Sequence, residues 1–168
     1  MNKALHIGID GCRGGWLAIV LEPGGGWHCG IYAGLDALTA EVGGWELMLI
    51  DMPIGLPERS PRSCDRGARK LLGAGRASSV FPVPCRAVLD AADYREACAI
   101  NRLHLGTALS KQSWNLLPKI RELDAWLRQH PPGPCREAHP ELVYQALNRG
   151  VPLAGGKHTV IGLMESFT

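Results

Sequence analysis

LHIGIDGCRGGWLAIVLE, residues 5–22, is the stretch of sequence that decides the fold. Its first apolar run ends in an acid, Asp10, and a glycine-rich turn separates that run from a second one rich in Leu, Ile and Val. A third apolar run follows the next turn. Short glycine-rich turns between strands are typical of an antiparallel meander. We therefore predict three antiparallel strands at residues 5–10, 16–22 and 27–33.

Beyond this meander the sequence alternates between helical and extended patterns. Residues 35–42 predict a short helix that stops at Gly43, and residues 47–50 predict a central strand parallel to the first. The fold class is therefore α/β, with a mixed central sheet and flanking helices in a single domain, residues 1–168. The remaining predicted elements are a helix from Ser63 or Asp65 through 72, an extended loop at 78–86, helices at 93–106, 114–129 and 140–148, and a strand at 135–139.

The composition excludes several classes of protein. With 46% hydrophobic and 20% charged residues, the 168-residue chain is too apolar to be disordered, and no apolar run is long enough to span a membrane. A net charge of +2 argues neither for nor against nucleic acid. The six cysteines form no C-x-x-C pair, which argues against a zinc ribbon or a thioredoxin-like motif. The chain is large and apolar enough to fold without disulfides, so we expect reduced thiols in the cytoplasm. Nucleic acid and a second copy of the chain are the partners that the sequence leaves open.

Acidic residues stand at the ends of the predicted core strands. Asp10 and Asp51 each follow an apolar run, Glu137 ends or nearly ends the last strand, and Glu141 opens the helix after it. Carboxylate oxygens are the ligands that Mg²⁺ prefers, and two such ions can clamp the oxygens of a phosphodiester during hydrolysis. We therefore expect these four residues to bind Mg²⁺ or Mn²⁺. The alternative is that Asp10 and Asp51 only bond the backbone of their turns.

Several motifs, in the same order along nearly the whole chain, resemble the domain-of-unknown-function family 429. This family is described as predicted nucleases of ribonuclease-H-like fold, a description based on analogy of fold. The motifs that carry the resemblance are GIDGCRGGW (8–16), IDMPIGLP (50–57), CDxxAR (64–69), SVFPxP (79–84), SKQxWNLxPKI (110–120), ExHPE (137–141) and KxTxxG (157–162).

The resemblance implies a ribonuclease-H-like fold in which Asp10, Asp51 and Glu137 are the catalytic acids. Family members run on past the KxTxxG segment into a region with a further acidic motif, and in ribonuclease-H-like enzymes a final acid completes the metal site. In this sequence Glu165 is the only acid after Glu141. Either the last ligand is missing, or Glu165 or a partner subunit supplies it, or the sequence is truncated. The sequence therefore predicts a domain that is short at its C-terminal end relative to the family.

Cationic and polar side chains within these motifs are candidates for binding an anionic substrate. Arginine recognises phosphate through paired donors, so a phosphate site is one interpretation of the basic segment 59–76, and a solvated helix face is the other. For Lys111, Gln112 and Lys157, which lie outside this segment, the two interpretations are substrate binding and a solvated surface position. The candidate substrate-binding residues are Arg66, Arg69, Lys111, Gln112 and Lys157.

The function that the sequence favours is metal-dependent hydrolysis of phosphodiester bonds by a carboxylate cluster. Two alternatives remain. The strand, acid and glycine turn around Asp10 also open the phosphate loop of actin-like nucleotide-binding and phosphotransfer domains, although those folds usually need two such domains. The missing C-terminal acid supports the other alternative, a catalytically inactive binding or scaffold domain of the same fold.

Overall fold

A computed structural model describes residues 4–130 and 133–151 and divides them between two compact units. The first unit contains the described residues of 4–61 and 82–138, and the second those of 62–81 and 139–151. The single domain expected over residues 1–168 stays a prediction.

A mixed five-stranded sheet forms the first unit. β1 pairs antiparallel with β2 and β2 with β3, whereas β4 lies parallel to β1 and β5 parallel to β4, in the order β3-β2-β1-β4-β5. This arrangement confirms the α/β class, the N-terminal meander and the central parallel strand. The strands are β1 (His6–Cys12), β2 (Gly15–Leu21), β3 (Trp27–Tyr32), β4 (Leu47–Ile50) and β5 (Cys135–Glu137).

The described helices follow the predicted segments, with corrections at their ends. Asp93 caps one of them by accepting from the N–H of Glu96 at 2.8 Å, and Gly106 ends the same helix in the left-handed conformation. The helices are α1 (Leu35–Val42), α2 (Ser63–Arg76, interrupted at Gly73), α3 (Tyr94–Leu105), α4 (Lys111–Gln129) and α5 (Pro140–Leu147). Short 3₁₀ turns at Ala77–Ser79 and Arg86–Asp90 stand at the two ends of the segment predicted as extended, residues 78–86.

Helix α4 begins one turn earlier than the sequence pattern predicts. Ser110 is its N-cap, because the Ser110 hydroxyl accepts from the N–H of Ser113 at 3.0 Å. The hydroxyl of Ser113 in turn donates to the carbonyl of Pro82 at 2.7 Å. Pro118 therefore lies in the third turn of α4 rather than near its start, where it lacks the N–H for one helical hydrogen bond, and the helix continues past it.

The core of the first unit lies on one face of the sheet. Alternate residues of β1, β2 and β4 are buried there, and α4 contributes one apolar stripe. Trp16 is fully buried and donates its indole N–H to Glu122 of α4 at 2.7 Å. The principal core side chains are Ile7, Ile9, Trp16, Val20, Met48, Ile50, Leu117, Ile120 and Leu123.

The opposite face of β2 and β3 carries large apolar side chains that are exposed. Trp27 and Ile31 of β3 are about two-thirds exposed, at 65% and 64%, and Leu17, Ile19 and Leu21 of β2 are exposed as well. Pairing with a second copy of the chain stays a prediction. Among the helices within residues 4–130 and 133–151, none has the length and apolar character needed to cross a membrane.

The six cysteines, all free thiols, differ sharply in exposure. Cys29 and Cys64 are exposed, whereas Cys85, Cys98 and Cys135 are buried, and burial raises the pKa of the Cys85 and Cys135 thiols. A maleimide at neutral pH should therefore label Cys29 and Cys64 in the native chain and the three buried thiols only after addition of urea. Mass spectrometry of tryptic peptides measures this, and labelling of Cys85 as fast as Cys64 would contradict it.

The same burial gives a pH dependence of stability. The folded chain holds the Cys85 and Cys135 protons to higher pH than the unfolded chain does. Their contribution to the free energy of unfolding is therefore intact below the ordinary thiol pKa of about 8.5 and declines as the pH rises above it.

Candidate functional site

The carboxyl ends of β1 and β4 carry Asp10 and Asp51 at neighbouring positions. Ile9 pairs with Ile50 in the parallel register, and the N–H of Asp51 donates to the carbonyl of Ile9 at 3.0 Å. Because Ile9 and Ile50 are buried in the core and side chains alternate across a sheet, the two aspartates that follow belong to the opposite face. Asp10 is exposed and Asp51 half-buried. The fold thus brings both to one edge and one face of the sheet.

Glu137 ends β5, the strand on the other side of β4. It pairs with Ile50, so the alternation assigns Glu137 to the core-side face and not to the face of Asp10 and Asp51. Its Oε2 accepts a hydrogen bond from the backbone N–H of Ile54 at 2.9 Å. Glu137 therefore holds the loop that follows Asp51.

The cluster of four carboxylates expected from the sequence is not assembled in the described part of the chain. No group of three His, Cys, Asp or Glu among residues 4–130 and 133–151 is placed to hold a metal ion. Glu137 belongs to the other sheet face, and Glu141 belongs to the second unit, where its Oε1 lies 3.4 Å from Nη1 of Arg76. Both side chains of that ion pair are largely buried. The edge of β1 and β4 therefore carries an aspartate pair.

The first turn of α4 contains the two candidate residues Lys111 and Gln112, both exposed. The Lys111 ammonium lies 3.6 Å from the centre of the Tyr94 ring, which is a cation–π contact. The Tyr94 hydroxyl donates to the carbonyl of Leu109 at 2.9 Å. The position of Lys111 is thus set by α3, and a role for either residue in binding substrate stays a prediction.

In the second unit, α2 carries Arg66 and Arg69. Arg69 donates from Nε and Nη2 to the carbonyl of Val80, at 3.2 and 2.9 Å, so it stabilises the segment after the 3₁₀ turn. Arg66 is exposed. Lys157, the fifth predicted substrate-binding residue, lies outside the described residues. Binding of phosphate by any of the three stays a prediction.

The start of α2 differs from the sequence-based expectation. Neither Ser63 nor Asp65 caps this helix, because Arg62 occupies the N-cap position and makes no side-chain cap bond. Asp65 is instead buried and accepts from Nε of Arg62 at 3.1 Å. An arginine three residues before an acid was the sequence signal for this pair.

In the same unit, Nε2 of His139 lies 3.3 Å from the carbonyl of Ser79, which favours a packing role for this histidine.

Sequence reasoning did not identify Lys119 as a neighbour of the strand end that carries Asp10. Lys119 places its Nζ 4.4 Å from the centre of the Trp16 ring and 3.8 Å from Oε2 of Glu122. Its methylene carbons approach Gly11, where a Cβ would meet them at 3.7 and 3.8 Å. Lys119 lies on the core side of the sheet, so its positive charge is next to the end of β1 but on the face opposite to that of Asp10. The only sequence signal was its position within the SKQxWNLxPKI motif.

In a comparison with protein-family models, residues 8–165 match the family described as "Protein of unknown function (DUF429)". No curated protein and no solved structure matches the chain.

Proposed function

The chain belongs to the DUF429 family, and from this premise we propose that it is a metal-dependent phosphodiester hydrolase with a ribonuclease-H-like core. The family description names no activity, so the proposal depends on the residues. The mixed sheet with its N-terminal meander is the arrangement that the resemblance to predicted nucleases implies. The expected substrate class is nucleic acid.

One observation carries the proposal, the placement of Asp10 and Asp51 side by side. They follow paired residues on adjacent parallel strands, and the Asp51 N–H bonds to the carbonyl of Ile9. Neighbouring strands lie about 4.8 Å apart, so two carboxylates on one face at this spacing can share a ligand. Like charges held this close favour a cation between them.

Two aspartates are enough to bind Mg²⁺ or Mn²⁺, so the proposal does not need the cluster of four carboxylates. Mg²⁺ commonly takes one or two protein carboxylates and completes its shell with water and substrate phosphate. Asp10 and Asp51 provide such a set without Glu137 or Glu141. When bound there, the ion would polarise a phosphoryl oxygen and stabilise the charge that develops during hydrolysis.

The other residues near the pair have positioning roles in this proposal. Glu137 holds Ile54 and so fixes the loop that begins at Asp51. Lys119 packs behind Gly11 and keeps this end of β1 in place through Trp16. These contacts keep the two aspartates in register without occupying the exposed face on which a substrate would lie.

A second candidate is an inactive binding or scaffold domain. Two of the predicted metal ligands are engaged in structural contacts, Glu137 with Ile54 and Glu141 with Arg76. These contacts favour an inactive domain over a hydrolase whose metal site uses all four carboxylates. The two candidates differ in whether metal changes stability and supports cleavage.

Incubation with labelled single-stranded and duplex DNA and RNA tests the proposal. We expect cleavage with Mn²⁺ or Mg²⁺ and none with EDTA, together with a rise in melting temperature of several degrees when metal saturates the native state. Gel electrophoresis of the products and differential scanning fluorimetry measure the two effects. Cleavage that persists in EDTA would contradict the metal-dependent hydrolase. The absence of both cleavage and stabilisation by metal would also contradict it and would favour the scaffold domain.

A further inference from the structure

Two adjoining cavities in the first unit are lined by arginines that the proposed function does not use. One measures about 460 Å³ and the other about 290 Å³, and both are lined by Arg86, Asp124 and Arg128. Arg121 contributes to the smaller one. We call this region, defined by Arg86, Arg121 and Arg128, the arginine cavity.

Acceptors of the protein hold the three guanidinium groups in fixed positions. Asp124, whose side chain is only 13% exposed, accepts from Nη1 of Arg86 at 2.8 Å and from Nη2 of Arg128 at 2.7 Å. Arg121, one turn before Asp124 on α4, donates from Nε and Nη2 to the carbonyl of Leu89. These bonds restrict the arginine side chains before any ligand arrives, which lowers the entropic cost of binding.

Donors remain available after these bonds are counted. A guanidinium has five N–H donors, and in the described part of the chain Arg86 and Arg128 each bond only through one terminal nitrogen. The Arg86 side chain is 36% exposed and that of Arg128 64% exposed. The three arginines outweigh the two acids of the cavity, Asp90 and Asp124, by one positive charge.

We infer that the arginine cavity binds a phosphate group. Paired N–H donors on a planar guanidinium match two oxygens of a phosphate, and two such groups with a net positive charge suit an anion with three or four acceptor oxygens. The larger cavity exceeds the size of phosphate alone, and Leu127 and Gly55 line the remaining space. The ligand is therefore a phosphate ester whose organic part contacts this apolar wall.

The cavity is connected by the chain to the proposed hydrolytic edge. Gly55, in its wall, follows Ile54, whose N–H is held by Glu137, and lies four residues after Asp51. The N–H of Arg86 donates to the carbonyl of Pro57 in the same loop at 2.9 Å. Phosphate binding itself requires no metal and does not depend on the proposed hydrolysis.

Calorimetric titration of the full chain in EDTA tests this inference with three probes: inorganic pyrophosphate, adenosine monophosphate, and a thymidine pentanucleotide without terminal phosphate. We expect Arg128→Gln to weaken the binding of at least one probe about tenfold or more, because hydrogen bonds to charged groups are among the strong ones. Asp124 keeps Arg86 as a partner in this variant, so the fold should persist. Arg128→Lys should restore only part of the affinity, since it keeps the charge and loses the paired donors.

Arg95→Gln is the matched control, because Arg95 is an exposed arginine of α3 that lies outside the cavity. The Arg95→Gln variant should bind each probe with the affinity of the unmodified chain. Binding of the monophosphate alone would identify a free nucleotide as the ligand, and binding of the pentanucleotide would identify a nucleic-acid backbone. Failure of all three probes to bind, or equal losses in Arg128→Gln and Arg95→Gln, would overturn the inference whether or not the chain cleaves nucleic acid.

Discussion

Replacement of Gly15 by alanine is expected to destabilise the first unit by about 2–6 kcal/mol. Gly15 opens β2 with φ +129°, and a Cβ built there would lie 1.9 Å from the carbonyl oxygen of Tyr32. Unfavourable backbone conformations cost about 1–3 kcal/mol and overpacking a further 1–3 kcal/mol. The clashing atom belongs to the backbone of β3, so β2 and β3 would have to separate. Urea unfolding followed by tryptophan fluorescence measures the loss.

Gly24→Ala is the control that separates the two costs. Gly24 also has a positive φ, +99°, but nothing lies within 4 Å of the Cβ that alanine would add. This variant should lose about 1 kcal/mol, from backbone strain alone. Equal losses of stability in Gly15→Ala and Gly24→Ala would show that the contact with the Tyr32 carbonyl does not add to the cost of a Cβ at residue 15.

The strands of the meander could be predicted because local signals and long-range packing agree there. The sequence shows β2 as a continuous apolar run between glycine-rich turns, and in the structure Trp16, Ala18 and Val20 of this run are buried in the core. The cap of α3 was equally visible, since Asp93 and Glu96 have the spacing of a capping box. Elements decided by neighbours in the chain were therefore predictable.

The start of α4 was not predicted, because the apolar stripe gives the period of a helix but not its first residue. Ser110 and Ser113 determine the start, and Ser113 is buried through its bond to Pro82, a residue far away in the sequence. Polar residues at a cap are ambiguous until their partner is known. The prediction therefore placed the helix at Trp114.

The candidate site was predictable only in part for a similar reason. Asp10 and Asp51 could be placed together because parallel strands end at the same edge of a sheet. The face of Glu137 depends on the register of β5 against Ile50, and a one-residue change of register would reverse it. No local pattern encodes that register in a strand of three residues. The arginine cavity likewise joins Arg86 to α4 through Asp124, across 38 positions of sequence.

The largest functional effect is expected from Asp10→Asn. This change removes the negative charge and one oxygen from the aspartate pair while keeping the size of the side chain. Asp10 is exposed, so the free energy of unfolding should change by no more than about 0.5 kcal/mol. Loss of a residue that only supports a metal ligand costs about 10–100-fold, so loss of a ligand should reduce metal-dependent cleavage at least about 100-fold. The rise in melting temperature with Mn²⁺ should disappear as well.

Asp36→Asn provides the comparison for that result. Asp36 is also an exposed aspartate of the first unit, but it lies in the first turn of α1. Its removal should leave cleavage and the metal-dependent rise in melting temperature unchanged, at a cost of about 0.3–1 kcal/mol from the lost interaction with the helix dipole. Asp51→Asn should reproduce the loss seen with Asp10→Asn, because both carboxylates are needed at the same edge. Undiminished cleavage in Asp10→Asn would place the hydrolytic site elsewhere, since the proposal makes the Asp10 carboxylate a ligand of the metal.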